Sequence, residues 1–547
     1  MRRFLIMLLS AILLLSATGC NQPTDPPDEG PKDTTGKYKL DETRNEAIID
    51  DAGVVTDIYD GNARVFYQIF VGSFSDSDGD GVGDLRGIIN RMDYLNDGNM
   101  NSGTSLGVEG IWLTPIFASP SYHKYDTTNY YKIDPKFGTE NDLRELIQLC
   151  HSRNVKIILD FVINHTSTSH TWFQSFANAH SLGNTQDEYY DFYTHSKTPI
   201  NGRTFARIPG ATDYYECNFS GDMPELNYDN EAVRQAILDV AKYYIGLGVD
   251  GFRFDAAKYI YYGDEAKNVE FWNWFMQELR NVKRNIYTVA EVWDSDNAVI
   301  PYNSSTDCFN FSMSQVSGKI AAAAKGGNVN SYVTYISDYL KKIQAKRSDA
   351  MLITFITNHD MDRAAGFMTT TAGFAKTAAN LSILTPGSPY IYYGEEIGML
   401  GSRGGANTDA NRRLAMLWGD GDTVRNPIGS SYRGTQANGT VQDQLPNGDS
   451  LYSHYKKLIA IRKANPEIGN GTFTPLKISS NAGGFLSTWN GKTVAVIHNT
   501  KKEAVTIDLS QITDIPFETL AAYAGMGGAK LEGTVLTIDG QTSVVLR

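Results

Sequence analysis

Eight short apolar runs recur between residues 64 and 396, and the segments between them carry the helical spacing of amphipathic stretches. The runs are RVFYQIFVGSF, GIWLTPIF, VKIILDFVINH, GVDGFRFDAAK, NIYTVAEVWD, CFNFSMS, MLITFITNHD and SPYIYYGEE. Several are apolar almost throughout, as strands of a parallel sheet covered on both faces must be. Patterns such as NDLRELIQLCHSRN, NEAVRQAILDVAKYYIGLG and NVEFWNWFMQELRNVK supply the intervening helices. Eight strand-helix units of this kind predict a (β/α)8 TIM barrel, with a doubly wound open sheet as the alternative.

The polar residues favour the barrel. Asp160, Asn164 and His165 close the third run, Arg253 and Asp255 the fourth, Glu291 the fifth, and Asn358, His359 and Asp360 the seventh. In a closed barrel those ends meet at one mouth, whereas an open sheet strings them along an edge. Within GFRFDAAK, strand alternation puts Phe252 and Phe254 in one packing layer and Arg253 with Asp255 on the other face. An isolated Arg-Asp pair is as readily a structural ion pair as a functional one.

The rhythm breaks after the third run. Residues 166–227, rich in tyrosine, histidine and glycine, read as an inserted domain between barrel parts at 56–165 and 228–465. From 466 to 547 the pattern changes to alternation, as in GGFLSTWNGKTVAVIHN, which predicts a C-terminal antiparallel β-sandwich. At the other end, MRRFLIMLLSAILLLSATGC has the charged start and short apolar core of a secretory signal. Its small residues before Cys20 resemble a bacterial lipoprotein signal, which implies cleavage that leaves a lipidated Cys20 as the new first residue, residues 1–20 being the signal peptide and lipidated cysteine; ordinary secretion is the alternative. Residues 21–55 follow as a flexible tether, beginning with NQPTDPPDEGPKDTTG, which lacks the apolar residues to bury a core. The expected location is the extracellular face of the cell, anchored to a membrane by lipid alone.

A net charge of -13 argues against nucleic acid as a partner. Beyond Cys20 there are Cys150, Cys217 and Cys308, an odd number with no metal-like spacing, so no disulfide framework or zinc site is indicated. The 31 tyrosines and 7 tryptophans suit core packing and also suit stacking on sugar rings.

DFVINH (160–165), GFRFDAAK (251–258), AEVW (290–293) and TNHD (357–360) resemble, in order and spacing, the four short motifs of the α-amylase family of glycoside hydrolases, and MPELN (223–227) resembles its fifth. The resemblance implies a retaining mechanism, with Asp255 as nucleophile, Glu291 as general acid and base, and Asp360 as the third acid, which holds sugar hydroxyls. It also implies substrate contacts from Tyr125, His165, Arg253, Lys258 and His359, and an α-glucan as substrate. Internal α-1,4 cleavage by a monomer is the expected activity, because Tyr122 stands where exo-acting relatives usually carry an aspartate. MPELN and RRLAML (412–417) are closer to oligosaccharide-cleaving relatives, so neopullulanase, cyclomaltodextrinase or oligo-α-glucosidase activity is the alternative. A non-catalytic glycan-binding surface protein is a third reading, disfavoured because all three acids are present.

DSDGDGVGD (76–84) presents Asp76, Asp78, Asp80, the Val82 carbonyl and Asp84 at alternate positions around a glycine turn, a donor set suited to a structural calcium ion. Gly87 occupies the twelfth position, where an EF-hand carries its bidentate glutamate. Asn164 resembles a ligand of a second calcium in amylases, but Tyr259 replaces the histidine often found beside it.

Overall fold

The computed structural model describes residues 61–99, 101–371, 373–404, 409–478 and 482–547. The signal segment, Cys20 and the tether lie outside the described residues. Among those described, no helix is long and apolar enough to cross a membrane.

Seven of the eight apolar runs contain a barrel strand, and the sixth, CFNFSMS, supplies only its first residue to one before turning into a short 3-10 helix at Phe311–Met313: β1 (Phe66–Ile69), β2 (Gly110–Leu113), β3 (Lys156–Phe161), β4 (Gly251–Phe254), β5 (Tyr287–Ala290), β6 (Asp307–Cys308), β7 (Ile353–Phe355) and β8 (Ser388–Tyr392). They pair in the order β6-β5-β4-β3-β2-β1-β8-β7. Every pair is parallel. A further parallel bridge between Phe309 and Ile353 joins the two outer strands and closes the barrel, which excludes the open sheet.

Outside the barrel lie α1 (Glu140–Ser152), α2 (Thr171–Leu182), α3 (Glu231–Leu247), α4 (Glu265–Val282), α5 (Val329–Gln344), α6 (Phe374–Ile383) and α7 (Leu451–Ala464). Their limits follow local chemistry. Thr139 and Asp142 form a reciprocal capping box at the start of α1, and Gly248, with φ at 109°, ends α3 in the left-handed conformation.

Strand alternation sorts the side chains of β4 as expected. Phe254 packs outward on Trp272 of α4 at 4.6 Å, whereas Arg253 points inward over Trp112 of β2 at 5.1 Å. The interior is largely aromatic, with Phe66 sandwiched between Tyr287 and Tyr390 at 4.7 and 4.8 Å. Gly251 opens β4 because a Cβ there would lie 1.6 Å from the Tyr287 carbonyl oxygen. Only glycine admits so close an approach of the two strands.

After β3 the chain forms α2 and a small antiparallel sheet of His195–Ser196, Tyr214–Glu216 and Phe205–Arg207. A bridge from His165 to Glu225 ties the end of this insertion to the residues after β3, and one from Tyr193 to Leu226 joins two parts of the insertion itself. The C-terminal strands are β9 (Thr472–Leu476), β10 (Ala482–Trp489), β11 (Lys492–Asn499), β12 (Val505–Asp508), β13 (Leu520–Gly525), β14 (Ala529–Glu532), β15 (Val535–Ile538) and β16 (Thr542–Leu546). They make sheets ordered β9-β10-β11-β16-β13 and β12-β15-β14, which share an apolar core that includes Ile497, Val544, Ile507 and Leu536.

Candidate active site

Arg253 organises the mouth of the barrel. One terminal nitrogen of its guanidinium bonds Asp160 at 2.8 Å and Asp255 at 2.6 Å, and the other bonds Glu291 at 3.0 Å. The register of β3 on β4 sets Asp160 beside Arg253. The register of β5 on β4 then brings Glu291, just past Ala290, level with Asp255. Beyond Asp255 the backbone turns sharply at Ala256, whose φ of 48° is unusual for a non-glycine residue. That turn aims the Ala256 amide at the Glu291 carboxylate, 3.1 Å away.

Burial opposes the charge on Arg253, but the Asp160 and Glu291 carboxylates around it outweigh this and keep it protonated. Three carboxyl groups share this one cation, so ionising all of them would leave uncompensated negative charge in a closed site. Burial pushes the Asp160 carboxyl up to about 7, with Arg253 opposing and Asp255 adding, and Glu291 stands higher still. Burial pushes its carboxyl up to about 8, with the charges of Asp255 and Asp360 adding to the effect and Arg253 opposing it.

Opposite stand His359 and Asp360, at the end of β7. Gln68 of β1 donates to Nδ1 of His359 at 2.7 Å, so the ring carries its proton on Nε2. That nitrogen lies 2.5 Å from the Tyr125 hydroxyl and 3.1 Å from Asp360. Tyr125 in turn donates to Asp160 at 2.9 Å, and its half-buried ring lies parallel to that of His359. Burial drives the His359 imidazole down to about 3, so it is neutral at physiological pH. Burial also works against the charge on Asp360, yet His359, Arg413 and Arg253 hold its carboxyl down at about 2. His359 lies beside Asp360 with its Nε2 hydrogen shared with the Tyr125 hydroxyl. Arg413 supplies the charge, 2.7 Å from Asp360.

The structure thus brings together Asp255, Glu291, Asp360, Tyr125, Arg253 and His359. His165 is behind them, buried, bonding the Tyr125 carbonyl at 3.2 Å and the Asn164 side chain at 3.0 Å. Lys258 stands to the Glu291 side, bonded to the Trp293 carbonyl at 2.8 Å and to Asp294 at 3.0 Å. Sequence reasoning missed Arg413 as a site residue. It reaches from beyond β8 to bond Asp360, the His359 carbonyl at 3.0 Å and the Tyr122 hydroxyl at 3.0 Å. The only signal was the basic pair in RRLAML. Gln68 carried no signal beyond being a polar residue in an apolar strand, whereas Asp160 was already marked as a strand-end acid opening the DFVINH motif.

Residues 68–471 match the family model described as alpha amylase, catalytic domain. The chain belongs to the α-amylase family. It is 37% identical over 425 residues to "Alpha-amylase 3" of Dictyoglomus thermophilum, covering 76% of this chain and 79% of that relative. It is 31% identical over 415 residues to the "4-alpha-glucanotransferase" of Thermotoga maritima, covering 73% and 87%. Among solved structures, "Eubacterium rectale Amy13B" superposes with a TM-score of 0.83 at 33% identity, covering 93% of this chain and 99% of that one. This α-amylase family member is accordingly an enzyme acting on α-glucans, within a family of glycoside hydrolases and transglycosylases.

The acidic loop after β1 holds a possible metal-binding cluster. Carboxylate oxygens of Asp76, Asp78 and Asp84 lie within 4.8 Å of one another. Asp80 is outside that group, its carboxylate accepting the Val82 amide at 2.7 Å. Asp84 does double duty, capping the Leu85–Asn90 helix through the Gly87 amide at 2.6 Å. Burial raises its carboxyl, and the neighbouring Asp78 adds to the rise, an excess of negative charge that a cation would relieve. Gly87 replaces the EF-hand glutamate for a packing reason: a Cβ there would lie 2.0 Å from the Ser75 carbonyl oxygen. A distant segment seals the loop, with Thr423 bonding Asp76 at 2.6 Å and Asp422 bonding Ser75 at 2.6 Å. At the expected second site, the Asn164 amide instead bonds the Tyr259 carbonyl directly, at 2.7 Å.

These hard oxygen donors fit calcium better than a softer ion. If calcium binds there, chelation will lower the Tm. A free concentration a hundredfold above Kd contributes about 2.7 kcal/mol of stability, which chelation removes. Thermal melts with and without chelator check this. Asp76→Asn should shrink the difference, and equal melting temperatures in the wild type would exclude a structural ion.

Proposed function

We propose that this protein cleaves internal α-1,4-glucosidic bonds of starch, glycogen and maltooligosaccharides by a retaining double displacement. The observation that carries this reading is the Arg253 fork, which holds Asp255 and Glu291 on adjacent nitrogens of one guanidinium. Retention requires two carboxyl groups about 5 to 5.5 Å apart, closer than the inverting spacing that leaves room for a water. Asp255, paired with a permanent cation, attacks the anomeric carbon as a carboxylate. Glu291, kept protonated by burial and neighbouring charge, gives its proton to the glycosidic oxygen as the bond breaks. The resulting Glu291 carboxylate then takes a proton from the water that releases the sugar from Asp255. Asp360, fixed by Arg413 and His359, binds hydroxyls of the ring as it flattens, and Tyr125 offers an aromatic face beneath it.

Cys20 and the segment that follows support display outside the cytoplasm on a lipid anchor, which suits a substrate too large to import. The acidic loop supports calcium as its structural ion.

Glucan transfer is a second reading, favoured by one feature. Trp293, 43% exposed, stacks on Phe311 at 4.9 Å just past Glu291, an aromatic surface on the leaving-group side where an acceptor sugar would compete with water. A product time course on soluble starch, pullulan and a blocked maltoheptaoside separates the cases. Early mixed oligosaccharides, with the blocked substrate cut and pullulan spared, are expected. Products longer than the substrate would move the assignment to transfer, panose from pullulan to a neopullulanase, and glucose alone to an exo-acting enzyme.

A further inference from the structure

Away from the barrel mouth, the insertion carries a second cluster of ligand-bearing side chains. His180, His195 and Asp213 each offer one donor atom, and the three atoms lie within 4.8 Å of one another. They come from three separate segments: the last turn of α2, the strand His195–Ser196 and the turn before Tyr214.

The arrangement around His180 is that of a ligand. Its side chain is 2% exposed and its ring stacks on Tyr190 at 4.0 Å. Nε2 is 3.0 Å from the Tyr190 carbonyl, which can only accept, so that nitrogen bears the hydrogen and Nδ1 presents a lone pair. The lone pair faces Asp213 Oδ2 at 3.9 Å, too far for a hydrogen bond. Two electron-pair donors thus stand close together, an arrangement that a cation between them would stabilise. Ligands at zinc distances of about 2.0 to 2.2 Å in a tetrahedron sit roughly 3.3 to 3.6 Å apart, so the His180–Asp213 pair would close by about 0.5 Å on binding and the remaining pairs by up to about 1.4 Å.

His195 is held in the same way from outside, its Nε2 2.9 Å from Asp191, whose carboxylate is 64% exposed. Backbone carbonyls and carboxylates that orient ligating imidazoles are the usual outer partners of a metal site. We propose that His180, His195 and Asp213 form a zinc site that pins three segments of the insertion together. Two imidazoles and one carboxylate suit zinc, in contrast to the all-oxygen loop after β1.

The test is equilibrium dialysis and calorimetry of the purified protein with zinc chloride in excess calcium, added to compete for the oxygen donors of the acidic loop. One zinc per chain is expected, with a rise in Tm and shifted ring-proton signals from two histidines in the NMR spectrum. His195→Gln and Asp213→Asn should each weaken binding by at least about tenfold. Asp191→Asn, at an exposed position, should weaken it less and serves if the others fail to fold. Asp78→Asn should leave zinc affinity unchanged. Absence of zinc binding, or equal binding by wild type, His195→Gln and Asp213→Asn, would overturn the proposal and leave these side chains as packing elements of the insertion.

Discussion

Asp255→Asn is expected to lower kcat on starch by about 10⁴-fold or more while leaving the Tm near that of the wild type. The amide keeps the shape of the carboxylate and can still meet Arg253, so the fold has little reason to change. What it loses is the anionic oxygen that forms the bond to the anomeric carbon. Circular dichroism and a thermal melt establish that the variant is folded, and reducing-sugar release from starch reads the loss. A folded variant with near wild-type turnover would reject Asp255 as nucleophile. The effect is large because nothing nearby can substitute: Asp160 is fully enclosed and committed to Arg253 and Tyr125.

Glu291→Gln is expected to cost about 10² to 10⁴-fold on starch and far less on a maltosyl fluoride, whose leaving group needs no proton. This difference separates a general acid from a structural residue, which would affect both substrates alike. The pH dependence carries a second signature. With its carboxyl near 8 in the folded protein, Glu291 holds the catalytic proton through neutrality, and activity should fall as pH rises through that value. The stability linkage has a definite sign. The folded carboxyl is raised above its ordinary value of 4.5, so between 4.5 and about 8 the folded state binds more protons than the unfolded state. Stability from this group is complete below 4.5 and declines as pH rises through the window. Glu291→Gln removes the decline. The Tm of the variant relative to wild type should therefore be higher at pH 9 than at pH 4, and a difference independent of pH would contradict the assigned environment.

Much of the site was legible because strand alternation and strand ends are local properties. The reversal of face between Phe252 and Arg253, and the clustering of acids at the ends of apolar runs, follow from a two-residue period and a parallel sheet. Arg413 was not legible as a site residue, because its role depends on a return of the chain from beyond β8 to Asp360, which no local pattern encodes. The acidic loop shows the same division. Its alternating aspartates are visible in nine residues, but its closure by Asp422 and Thr423 comes from more than three hundred residues away.

The sequence by itself determined the eight-stranded plan, the insertion after the third strand, the antiparallel end and the residue types at the mouth. Periodicity, turn residues and short motifs act over a few positions, so they survive in the linear order. Only the tertiary structure decided which acid keeps its proton. Asp255, Glu291 and Asp360 are all carboxyl groups, and nothing in their chemistry alone distinguishes them. Their distances from Arg253 and Arg413, and the depth at which the barrel buries them, place Glu291 near 8 and Asp360 near 2. Protonation in a closed site is set by the whole surrounding charge distribution, and that distribution exists only once the barrel has closed.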